Sequence, residues 1–143
     1  MPATVANKQR RRIPRRWLER IAEAVMVAEG CEPKAELSVV IGDDAWIQEL
    51  NRRYLRKDRP TDVLAFPQGE TPSGQPVLGD VAISAETAAR QAAEQGHGFE
   101  RELALLLVHG VLHLTGWKDS TPAGRRRMLA RGEELLAKLG AKA

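Results

Sequence analysis

Apolar residues recur along the chain with two periods, and the switches between them divide it into elements. From Pro14 the period is helical: Trp17, Ile21, Val25 and Ala28 share one face, proline suits a first helical turn, and Gly30 ends the run. Leu37, Val39 and Ile41 then alternate with less apolar neighbours, which predicts a strand. Asp43 or Asp44 can cap a second helix carrying Trp46, Ile47, Leu50 and Tyr54 at helical spacing. "RKDRP" (56–60) breaks that helix, and "TDVLAFP" (61–67) reads as a short strand stopped by Pro67.

The segment "QGETPSGQP" is a loop by composition and leads into a further strand, "VLGDVAIS". Ser84 can cap the helix that follows, which Gly96 and Gly98 end. A more buried helix runs from Phe99 to Thr115, since "LALLLV" is apolar on every side. Thr121 and Pro122 mark the start of a last helix with Met128, Leu135 and Leu139 inward and Gly140 at its end. The order α, β, α, β, β, α, α, α predicts one α+β domain over residues 13–140. Its small mixed sheet of three to four strands would be covered by about five helices.

Length and charge sharpen this picture. A chain of 143 residues can bury about two thirds of its unfolded surface, enough for a core without staples. The single cysteine, Cys31, forms no internal disulfide and reads as a small, partly buried side chain. No apolar run approaches the ~18 residues that cross a bilayer, so a soluble, membrane-free protein without a secretory signal is expected. The basic, acid-free first 18 residues leave an organelle transit peptide open, but their shortage of serine argues against it, and a cytoplasmic location is expected. Charge is uneven: Lys8, Arg10, Arg11, Arg12, Arg15, Arg16 and Arg20 against Glu19 give the first 20 residues +6, leaving −3 on the rest of a chain whose formal net is +3. Residues 1–12 therefore read as a flexible basic arm, either merely solubilising or directed at a polyanion such as RNA or DNA.

Candidate chemistry lies in "VHGVLHLTGWKDS" (108–120). His109 and His113, four residues apart, project from one face of the buried helix, where two imidazoles can grip one divalent cation. Gly116 lets the helix stop and the chain turn back, so that Asp119 can return as a third ligand. Two histidines and a carboxylate with an open position suit catalytic zinc, although Asp119 can also serve as a turn or capping acid. Gly110 occupies the place where the peptidase pattern HExxH has its glutamate base, which removes the main support for peptide hydrolysis.

Three segments, "LNRRYLRKDRPTDVLAFP" (50–67), "LGDVAIS" (78–84) and "HGVLHLTGWKD" (109–119), stand together in an order and spacing that resemble the YbeY family. The resemblance spans roughly residues 36 to 136. It implies a zincin-like metal helix, one Zn²⁺ per chain, and single-strand-specific metallo-endoribonuclease activity in 16S rRNA 3′-end maturation and ribosome quality control. RNA, chiefly the rRNA of the small ribosomal subunit, would be the partner.

The family pattern resembles HGxLHLxGxDH. His109 and His113 match its first two histidines, while the third falls on Asp119 and the usually acidic residue before it is Lys118. Where the family often has arginine after the tyrosine, this chain has Leu55 followed by Arg56. Arg53, Arg56 and Arg59 are candidates for contact with the RNA backbone, and Arg56, Asp62 and Asp80 for a part in catalysis. The two departures also leave open a ribosome-associated RNA-binding factor with a structural or degenerate metal site.

Overall fold

The computed structural model describes residues 2–68, 72 and 74–139; parts of the expected 68–76 loop and the expected stop at Gly140 lie outside them. Nine elements follow one another: β1 (Ala3–Asn7), α1 (Arg15–Ala28), β2 (Glu36–Gly42), α2 (Asp44–Leu55), β3 (Val63–Pro67), β4 (Val77–Ser84), α3 (Ala85–Gln95), α4 (Phe99–Leu114) and α5 (Pro122–Leu139). The sheet has the order β1-β2-β4-β3, with β1, β2 and β4 parallel and β3 antiparallel to β4. This is the mixed, helix-covered α+β sheet that the alternation of periods predicts.

The N-terminal arm is the main correction. Ala3–Asn7 is not flexible but an edge strand in register with Leu37–Ile41 of β2. Ala3 and Val5 are buried, and the backbone N–H groups of these two residues donate to Glu23 Oε2 (3.2 Å) and Glu19 Oε2 (2.9 Å) of α1. Carboxylates from a neighbouring helix thus occupy donors that an edge strand would otherwise offer to a foreign strand. Only after Asn7 does the chain become the exposed basic stretch, and there Arg11 lies over the Phe99 ring, 6.0 Å from its centroid.

Capping follows the predicted chemistry. Asp43 accepts from Trp46 N at the start of α2, and Ser84 accepts from Thr87 N at the start of α3, each satisfying an N–H that the helix cannot. The inward faces are rotated from expectation. α1 buries Leu18, Ile21, Ala22, Val25 and Met26 and leaves Ala28 exposed, while Tyr54 of α2 is 59% exposed.

Helix α4 is the spine of the molecule, touching α1, α3, α5, β3 and β4. Its Gly110 makes the approach to the sheet possible: a Cβ there would stand 2.7 Å from Val81 Cγ1 and 3.4 Å from Val63 Cγ2. The position that carries a base in HExxH peptidases here faces the sheet, with no room for any side chain. α2 covers the other face of β3 and β4 through a smaller apolar cluster of Ile47, Leu64 and Ala82.

Candidate metal centre

One face of α4, from Glu102 to His113, and the loop after it wall an open polar cleft of about 710 Å³. His109, His113 and Asp119 all line it. His113 Nε2 stands 3.4 Å from Asp119 Oδ2. That is long for a hydrogen bond, but bonds of ~2.0–2.1 Å around a tetrahedral zinc place two ligand atoms about 3.3–3.4 Å apart. The pair is spaced as two ligands of one cation would be.

His109 is placed differently. Its Nε2 is buried without any hydrogen-bond partner and packs against α5, where a Cβ on Gly132 would lie 2.8 Å away. Burial lowers the pKa of this imidazole; the charges of Asp62 and Glu133 oppose that effect, and His113 and Arg125 add to it. The neutral ring is the form that ligates a metal. Among the described residues no group of three His, Cys, Asp or Glu side chains is gathered tightly enough to hold an ion. The chemistry of the donors suits a divalent cation: His113 and Asp119 are paired at ligand spacing, and the buried Nε2 of His109 on the same helix has no hydrogen-bond partner.

The return of Asp119 has a visible cause. Thr115 caps α4, Gly116 takes φ 109°, and Trp117 N donates to Leu112 O (3.0 Å), which folds the chain back. Trp117 Nε1 then donates to Glu29 Oε1 (2.6 Å), and Glu29 Oε2 accepts from Arg131 Nη2 (2.8 Å) and Nε (3.1 Å). The loop that carries Asp119 is therefore tied to the end of α1 and to α5.

Of the other predicted residues, Asp62 lines the cleft, its Oδ1 accepting from Val63 N (2.7 Å) and its Oδ2 from Gln91 Nε2 (3.2 Å). Asp80 does not. It points from the opposite side of β4, beside Tyr54 and Phe66, and accepts from Gln68 Nε2 (3.0 Å), because alternation along a strand sends it away from its neighbour Val81. Arg53, Arg56 and Arg59 are exposed and wall no part of the cleft. Arg53 lies 3.6 Å from Glu49, and Arg56 occupies the left-handed cap of α2 with φ 58°.

The cation that this loop does contribute to the cleft is Lys57. Asn51, 2% exposed, holds the loop in place by donating Nδ2–H to Arg59 O (2.9 Å) and accepting Lys57 N on its own carbonyl (3.2 Å). Arg125 and Glu133 of α5 and buried Glu102 of α4 complete the polar wall. Glu102 Oε1 is 2.5 Å from His97 Nε2. Glu102 precedes His109 by seven residues, two helical turns, and that period was the one sequence signal for it. Nothing in the sequence pointed to Arg125 or Glu133.

Fold and cleft define a small α+β protein with a histidine-bearing helix at the floor of an open polar site. The family model for Endoribonuclease YbeY matches residues 4–140, and the chain belongs to that family. Proteins named Endoribonuclease YbeY are similar to it in Moorella thermoacetica (48% identical, covering 86% of this chain and 85% of the relative) and Geobacter sulfurreducens (47%, covering 97% and 96%). One from Aquifex aeolicus is 49% identical over 76% of this chain and 72% of its own. The solution structure of TM1509 from Thermotoga maritima shares the fold, with a TM-score of 0.63 at 24% identity over 98% of this chain and 93% of that one.

Proposed function

We propose that the protein is a zinc-dependent endoribonuclease that hydrolyses phosphodiesters in single-stranded RNA, acting in the cytoplasm in 16S rRNA 3′-end maturation and late ribosome quality control. The observation that carries this reading is the presence of His109, His113 and Asp119 in the wall of one polar cleft, in a chain that matches the Endoribonuclease YbeY model over residues 4–140. His109, His113 and Asp119 would hold the ion. When bound, it supplies Lewis acidity, lowering the pKa of a water and polarising a phosphoryl oxygen.

The chain's own groups divide the remaining work. Lys57 and Arg125 face the cleft from opposite sides of the sequence and neutralise charge on an incoming phosphate. Asp62 and Glu133 are acids of the wall able to take a proton from attacking water, and hydrogen bonds from Thr61, Val63 and Gln91 fix the orientation of Asp62. Asp119, a hard anionic donor in the place of a third imidazole, lowers the net positive charge of the site and favours exchange of zinc for manganese.

Metal analysis of the purified protein and cleavage of single-stranded RNA with and without chelator test the proposal. One equivalent of metal and chelator-sensitive cleavage that His113→Ala abolishes support it. RNA binding without cleavage at any metal loading would instead identify a binding factor with a degenerate site.

A further inference from the structure

On the side of the sheet away from α4 lies a second concavity, of about 350 Å³, between α2 and strands β3 and β4. Trp46, Leu50 and Tyr54 of α2 and Phe66 of β3 form its apolar walls. The ring of Tyr54 meets that of Phe66 edge to face, with centroids 5.6 Å apart and planes at 63°, so the aromatic is held in place while 59% of the residue remains in water. Among the described residues, a packed aromatic left this exposed offers a stacking surface.

We infer that this groove is a stacking subsite for an unpaired nucleobase of the RNA strand flanking the scissile phosphate. The inference rests on the endoribonuclease reading above and adds where the strand goes beyond the cleft. β3 is the edge strand opposite β1, so cleft and groove back onto the two faces of one edge. The segment from Tyr54 to Asp62 rounds that edge, with Tyr54 in the groove and Lys57, Thr61 and Asp62 in the cleft.

Charge along this path is sorted as a nucleotide chain requires. Arg52, Arg53, Arg56, Lys57 and Arg59 are all exposed on the segment that carries Tyr54; Arg52 and Arg53 pair with Glu49, and the others suit a phosphate backbone passing over the edge. Among the described residues lining the groove the charged one is Asp80, joined by Gln68. A carboxylate there repels phosphate and accepts hydrogen bonds from base amino groups, so the base turns inward and the backbone outward. Bases in a duplex have both faces covered by their neighbours and cannot use such a surface, which gives the fold a physical basis for preferring single strands.

The test uses the full-length chain with chelator present, so that binding is read without cleavage. Tyr54→Ala weakens affinity for a labelled single-stranded RNA about 5-fold or more, whereas Tyr54→Trp preserves it. With metal restored, the alanine variant shows a raised KM, unchanged kcat at saturation and unchanged metal content. Photocrosslinking of the parent protein with an iodouridine-substituted single strand independently places crosslinks on the peptides of Trp46, Tyr54 or Phe66. Parental affinity and KM in Tyr54→Ala, or crosslinks confined to cleft residues, would overturn the subsite while leaving the nuclease reading intact. Failure of the parent to bind or cleave single-stranded RNA would remove both.

Discussion

Nε2 of His113 and Oδ2 of Asp119 stand 3.4 Å apart across the turn made by Gly116, two donors held at ligand spacing by different elements. Asp119→Ala is expected to lower zinc affinity by at least the roughly 10–100-fold that loss of a mere outer-sphere partner costs. Asp119→His is expected to retain or strengthen binding and to shift selectivity from manganese toward zinc. Competition titrations with a chromophoric chelator check both; parental affinity in Asp119→Ala would remove it from the ligand set.

The loop carrying Asp119 depends on a contact far from it in sequence, the hydrogen bond from Trp117 Nε1 to Glu29. Trp117→Phe keeps much of the packing and deletes the donor. Metal affinity should fall by about 10-fold, with a smaller change in unfolding free energy than a core truncation gives. Equal metal affinity in variant and parent, measured by calorimetric titration, would show that the anchor does not position the ligand.

Gly110 is required by the spacing of α4 and β4. Gly110→Ala forces a methyl into the side chain of Val81, and such overpacking costs about 1–3 kcal/mol. Combining it with Val81→Ala should recover part of the loss, because the cavity made by one change accepts the methyl of the other. Urea unfolding of the two single variants and the double variant measures the coupling, and strict additivity would show that the two positions do not meet.

Asp44 links α2 to α3 and gives the fold an acid-sensitive joint. Desolvation acts to raise its pKa, but hydrogen bonds from Ser84 Oγ (2.5 Å) and Thr87 Oγ1 (2.6 Å), together with Arg90 at 2.9 Å, outweigh it and the net shift is downward. The unfolded chain therefore binds the proton more readily than the folded one. The resulting stabilisation is complete above the ordinary aspartate value of about 4 and is lost as pH falls through the lower folded value. Denaturant midpoints measured from about pH 2 to 6 should climb less steeply for Asp44→Asn than for the parent. Superimposable slopes would contradict this.

Local pattern carried the sequence reading where local pattern decides structure. Asp43, Ser84 and Gly116 act through neighbours within a few residues, and His109 and His113 share one helix face, so all five were legible. β1 was not. Of its five residues only Ala3 and Val5 face inward, and its stability comes from β2 and from Glu19 and Glu23, none of which a window on residues 3–7 contains. Arg125 and Glu133 likewise reach the cleft only because α5 packs back along α4. The basic cluster at 52–59 was visible as charge, but which of its members enters the cleft depends on the cap at Arg56 and the clamp from Asn51. Those contacts set Lys57, still exposed, at the wall of the cleft.

As proposed above, His109, His113 and Asp119 make this cleft a metal-dependent site for cutting single-stranded RNA. The most direct measurement is cleavage of one RNA sequence, single-stranded and annealed to its complement, by metal-stripped protein before and after one equivalent of Zn²⁺ is returned. The expected result is no cutting by the stripped protein, recovery on the single strand with zinc, little on the duplex, and no recovery in His113→Ala. Equal cutting by stripped and restored protein, or full zinc-restored activity in His113→Ala, would contradict it.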